Sequence, residues 1–190
     1  VFGSDAKQYD EFKRLLIAFK HKINMLSIDF KQAYLEEDFR YTEDLKNINS
    51  YYVAKSYISD ADIKLVRNKY LFNIGSGYIN NYINNNNYSS FIKDEKSFSL
   101  FSAVKYHSKY FDMNSILRHE WHSTFKMPLV PTVAIESKIS QFFKFRLKYN
   151  RNFRIPTYND RFWSSVGAVG NINLNPETSR NKEFGFEIKM

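Results

Sequence analysis

A chain of 190 residues with 43% hydrophobic content is too apolar for a disordered segment and long enough for a sizeable core. Its 28 Lys and Arg against 20 Asp and Glu leave a formal net charge of +8, which favours acidic partners. It has no Cys, which excludes disulfides, thiolate nucleophiles and cysteine-held metals.

Aromatic residues reach 18%, with 18 Phe and 14 Tyr. They make good interface anchors, and they are also what an AT-rich genome encodes most freely, so their number alone does not define a surface. No run of apolar residues is long enough to span a bilayer, and no signal peptide is visible. The chain begins at Val1 and not at Met, as a processed or a truncated form would, which leaves room for an anchor or targeting segment upstream.

From about Asp5 to Glu37 the spacing predicts a long helix. Phe12, Leu16, Phe19, Ile23, Leu26, Phe30 and Ala33 recur at alternating steps of four and three, and Asp5 can serve as N-cap. Leu15, Ile17, Met25 and Ile28 widen the stripe, which suits a core helix better than a coiled coil. The acidic cluster Glu36, Glu37 and Asp38 ends the pattern. Residues Asn47–Ile58 are ambiguous.

A second helix is expected from Ser59, with Asp62 as a partial capping box, Ile63, Val66 and Tyr70 on one face, and Gly75 and Gly77 as its stop. Asn80–Ser90, with Asn84 to Asn87 in a row, reads as a surface loop and as an internal boundary at 80–90. Phe98–Phe111 and Ile116–Phe125 fit either helix or strand, and Pro128 and Pro131 break the chain after them. Strands are expected around Val133, Ile135 and Ile139, through Phe143–Tyr149, at Ile172 and Leu174, and at Phe184, Phe186, Ile188 and Met190.

The most distinctive stretch is 138–161. Phe143, Phe145, Leu147 and Tyr149 alternate with Lys144, Arg146 and Lys148, flanked by Lys138, Arg151, Arg154 and Arg161, with Asp160 the lone acid. The reading is a strand with its apolar side turned inward and its cations outward. Lys144, Arg146, Lys148, Arg151 and Arg154 then form a candidate binding face for an acidic partner, with Tyr149, Phe153 and Tyr158 as aromatic contacts.

His119, Glu120 and His122 lie close together, with His107 upstream. On a helix the two His could share a metal; on a strand they would point to opposite faces. The spacing is one residue short of the His-Glu-x-x-His pattern. Gly75-Ser76-Gly77 lacks the Lys of a phosphate loop, and Gly167 and Gly170 read as turn residues. No activated Ser or Thr nucleophile is marked.

A long amphipathic helix followed by a sheet resembles the soluble part of a pilin or pseudopilin. The likeness is one of layout, and no residue carries over from it.

These observations together predict an α+β fold, a single domain over 1–190, with two N-terminal helices and a mainly antiparallel sheet in the C-terminal half. The expected function is a non-catalytic structural or interaction subunit of a larger assembly, with other protein subunits as partners and a basic, aromatic-rich surface. The alternatives are a ribosome- or genome-associated nucleic-acid-binding protein and a metal-dependent enzyme using His119, Glu120 and His122. No cofactor, no resident metal and no catalytic residue is called for.

Overall fold

Period-two alternation runs through far more of the chain than the segment 143–149. Phe19, His21 and Ile23 alternate with Ala18, Lys20 and Lys22; Tyr70, Phe72 and Ile74 with Leu71, Asn73 and Gly75; Phe184, Phe186 and Ile188 with Glu183, Gly185 and Glu187. A chain patterned in this way forms strands with one apolar and one polar face. The computed structural model describes residues 5–89, 92–140, 142–165 and 167–188, of which 77% lie in strands and 4% in helix.

The elements are β1 (Lys7–Ile23), β2 (Leu26–Glu43), β3 (Ile48–Arg67), β4 (Tyr70–Asn85), β5 (Ile92–His107), β6 (Phe111–His122), β7 (Val130–Lys138), β8 (Phe143–Arg154), α1 (Tyr158–Phe162), β9 (Ser164–Ser165), β10 (Ala168–Val169) and β11 (Glu177–Ile188). β1 to β8 and β11 form one nine-stranded sheet in chain order, each strand antiparallel to the last. β3 is 20 residues long and β2 is 18, several times the usual ~5–6.

The two ends of the sheet differ. At one end the connections are short: 24–25, 68–69, 108–110 and 139–142. Asn24 and Asn68 take φ of 51° and 52° there, the left-handed conformation that Asn tolerates and a tight hairpin needs. At the other end the connections lengthen from 44–47 through 86–91 and 123–129 to 155–176, which holds α1, β9 and β10.

The sheet does not enclose an apolar core. Among the described residues the only buried hydrophobic side chains are Tyr88, Ala103 and Met127. Glu95, Glu120, Asn150 and Arg161 are as deeply buried as these.

The α+β expectation fails here. The segment read as one helix from Asp5 to Glu37 is β1 turning into β2, with Phe19 directly opposite Phe30. Its four-three steps came from counting residues of both faces: Phe12 and Leu16 lie on one side of β1, Phe19 and Ile23 on the other. The likeness to a pilin goes with that helix. The second expected helix is the end of β3, the turn at Asn68 and the start of β4, and Gly75 and Gly77 lie inside β4. Asn80 to Asn85 also belong to β4, which pairs with β3 and β5 along that stretch. Ile172 and Leu174 lie in the connection before β11. Ser90 and Met190 are outside the described residues.

Candidate functional site

The register sorts every side chain of the sheet onto one of two faces. On one face Leu15, Ile17, Phe19 and Ile23 of β1 adjoin Leu26, Ile28 and Phe30 of β2. The row continues through Ile63 and Leu65, Tyr70, Phe72 and Ile74, Leu100 and Val104, Met113 and Leu117, Val133 and Ile135, and Phe143, Phe145 and Leu147, to Phe184, Phe186 and Ile188. This is a continuous apolar belt, and it is exposed: Ile74 is 63% accessible, Phe19 57% and Phe186 67%.

Aromatic rings border the belt on both sides. Tyr34 against Tyr57 and Phe98 against Trp121 mark its edge toward the long connections, and Tyr70 against Tyr106 the edge toward the short ones. Tyr70 to Tyr78 and Phe98 to Tyr106 each cover about the ~9–11 residues with which a tilted strand crosses a bilayer. An apolar patch this size on a soluble monomer would drive association, whereas amphipathic rings at its two edges are what a lipid–water boundary selects.

The opposite face is polar and laced with ion pairs. Asp29 takes Lys20 at 3.7 Å and Lys64 at 3.5 Å. Lys144 lies 3.9 Å from Glu136 and 3.6 Å from Glu187, and Lys148 donates to Glu183 at 2.9 Å. This face is concave and bounds a cleft of about 820 Å³ lined in part by Lys105, Asn114, Glu136 and Arg146.

At the long-connection end the 155–176 segment folds over the polar face. Arg161, 2% exposed, donates from both terminal nitrogens to the Glu95 carboxylate at 2.6 and 2.7 Å. Phe162, Phe125 and Tyr158 surround the guanidinium with ring centroids at 4.6, 5.1 and 5.3 Å. Ser89 N–H donates to the Phe162 carbonyl and Ser164 N–H to the Asn87 carbonyl, which binds this segment to the 86–91 connection. Burial pushes the phenols of Tyr88 and Tyr158 above their ordinary range. A capping box starts α1: Thr157 N–H donates to the Asp160 carboxylate at 2.8 Å, which holds that acid below the ordinary carboxylate range.

The candidate residues of the basic segment separate. The alternation through β8 has its faces reversed from the expectation: Phe143 and Leu147 belong to the exposed belt, while Lys144, Arg146 and Lys148 line the concave face. Arg154 shares their side, opposite Glu177. Arg151, Tyr149 and Phe153 are on the belt side, and Tyr158 is in α1, against Arg161. His119 and His122 sit on β6 with opposite orientations, and among the described residues no group of three His, Cys, Asp or Glu could hold a metal.

No helix among the described residues is long and apolar enough to cross a membrane, which says nothing of strands. The sequence matches the family model described as TonB dependent receptor-like, beta-barrel, over residues 3–189. The chain belongs to this TonB-dependent receptor barrel family. No curated protein matches it. Among solved structures, the siderophore receptor PirA from Pseudomonas aeruginosa superposes with a TM-score of 0.81 at 19% identity, covering 97% of this chain and 36% of its own. The ferric enterobactin receptor PfeA from the same organism gives 0.80 at 14%, covering 97% and 33%. The copper transporter OprC gives 0.69 at 12%, covering 99% and 37%. The chain thus spans about a third of the length of these receptors.

Membership of this barrel family overturns the reading as a non-catalytic structural or interaction subunit of a larger assembly and both of its alternatives, the nucleic-acid binder and the metal-dependent enzyme. Other assembly subunits and nucleic acid are replaced as partners, and the absence of an apolar run does not mean the absence of a membrane-crossing segment.

Proposed function

We propose that this chain is a section of the wall of an outer-membrane receptor that imports a metal bound to a small organic chelator, a siderophore, and works with TonB. The observation that carries the reading is the exposed apolar belt, bordered by aromatics, on a sheet whose other face is charged. Short turns at one end and long connections at the other are the pattern of outer-membrane barrels, whose short turns face the periplasm and whose longer loops face outward. On that pattern the Glu95–Arg161 lock holds an external loop over the mouth of the lumen, and the cation-bearing strand β8 lines the lumen wall. The siderophore receptors among the similar folds support the class of cargo.

The reading is tested by uptake of radioactive iron presented as a catecholate siderophore. Cells lacking the intact receptor should lose uptake of its cognate complex, a plasmid copy should restore it, and deletion of TonB should abolish the restoration. Restoration that persists without TonB would count against the proposal.

A further inference from the structure

A group of cations on the belt side remains unexplained by the lumen. In the pairing of β8 with β11, Arg151 is directly opposite Arg180, and Lys182 is opposite Tyr149. All three cations share the face of Leu147 and Phe184 and lie just beyond the belt, toward the long connections. The acids of β11, Glu177, Glu183 and Glu187, fall on the other face. Like charges directly opposite in a sheet repel, and among the described residues none of the three enters an ion pair. The contrast with β1–β3 is direct. There, just beyond the belt, Lys13 and Lys55 share Glu36 at 3.3 and 3.6 Å.

Arg151 also borders a rim cleft of about 470 Å³ with Thr124, Lys126, Asn175 and Thr178, and none of the residues lining it is a carboxylate. The Arg151 Nε is buried there without a hydrogen-bond partner. The Thr124 hydroxyl is already given to Glu95 at 3.0 Å, but two cations, the Thr178 hydroxyl and an amide around an unpaired guanidinium nitrogen suit a tetrahedral oxyanion, which Arg binds through its fork of N–H groups.

We propose that Arg151, Arg180 and Lys182, with Lys126 at the rim, bind the phosphate of a lipid headgroup that carries net negative charge. The inference rests on the reading of the belt as membrane-facing. Its position favours a lipid over a soluble phosphate: the site is continuous with the belt through Tyr149 and Phe184, at the depth where headgroups meet a barrel wall.

The test uses the intact receptor, purified in detergent, and native mass spectrometry with phosphatidic acid or phosphatidylcholine. The wild type should retain phosphatidic acid at least tenfold better, and Arg151→Gln/Arg180→Gln/Lys182→Gln should abolish the preference. Lys126→Gln and Lys182→Gln, each at an exposed position, should separately reduce it about threefold, so the proposal stays testable if the triple variant fails to fold. Equal retention of the two lipids, an unchanged preference in the variants, or displacement of phosphatidic acid by equimolar inorganic phosphate would overturn it. Protease protection of the receptor in phosphatidylcholine vesicles reads membrane insertion separately. Failure to insert refutes the barrel reading, whereas insertion without phosphate preference refutes only the lipid site.

Discussion

Gly75 has no room for a side chain. A Cβ there would lie 2.5 and 2.6 Å from atoms of the Phe101 ring and 2.7 Å from an Asp62 carboxylate oxygen. Phe101 covers the bare backbone of β4, which gives this large aromatic a place on the face opposite the belt. Gly75→Ala should destabilise the folded protein by about 1–3 kcal/mol, the usual cost of overpacking, and Phe101→Ala in the same chain should restore part of it, read by urea titration in lipid vesicles. Glu95 and Arg161 form the other residue-scale feature with a large consequence. Arg161→Ala leaves a buried carboxylate unpaired, a change that costs about 3–5 kcal/mol. The loss falls on the 155–176 connection, so proteolysis there should accelerate while the strands stay protected; unchanged cleavage would show the pair to be incidental. Asp160 gives a pH signature. Its folded pKa is depressed, so its support of α1 is present at neutral pH and is lost as pH falls through a value under the ordinary ~3.9. Amide shifts of Thr157 should report that loss on acidification, and Asp160→Asn should remove the transition.

At the scale of elements, the two faces of each strand differ in what they tolerate. Ile74→Arg, in the middle of the belt, should cost about 2–4 kcal/mol of folding in a bilayer. Asn73→Arg, one residue earlier on the polar face, should cost much less; equal effects in vesicle folding titrations would show that the belt does not meet lipid. This asymmetry also explains how much was legible in the sequence. The alternation in β8 is legible because Lys144, Arg146 and Lys148 are unbroken by an apolar residue, and it marks the strand. Its facing is not legible, because burying apolar residues inward is the rule for a protein in water, and this sheet is turned the other way. β1 is masked in the sequence for a related reason. Leu15, Leu16, Ile17, Ala18 and Phe19 fill both faces and erase the period of two, leaving steps of four and three that mimic a helix. The signals that could have corrected it were Asn24 and Asn68, each between two alternating runs at a hairpin turn. The lock between Glu95 and Arg161 could not be seen, since 66 positions separate its partners and only the topology joins them.

Over the described residues as a whole, the arrangement is an inverted one: the ion pairs lie mostly on the concave side, the apolar belt lies on the convex side, and only Tyr88, Ala103 and Met127 are buried hydrophobics. The outer strands of the described sheet, β1 and β11, each have one neighbour, and a closed barrel needs partners for both. The chain spans about a third of the length of the receptors it superposes on. Whether the apolar face meets lipid is tested most directly by a cysteine scan of β4, since this chain contributes no Cys of its own. Single Cys substitutions from Leu71 to Ser76, made in the intact receptor and labelled with a fluorophore, would be reconstituted in vesicles carrying a lipid-attached quencher. Strong quenching at positions 72, 74 and 76 and weak quenching at 71, 73 and 75 is the predicted result, with a variant that fails to insert replaced by the equivalent position on β5. Uniform quenching, or the opposite alternation, would contradict the account.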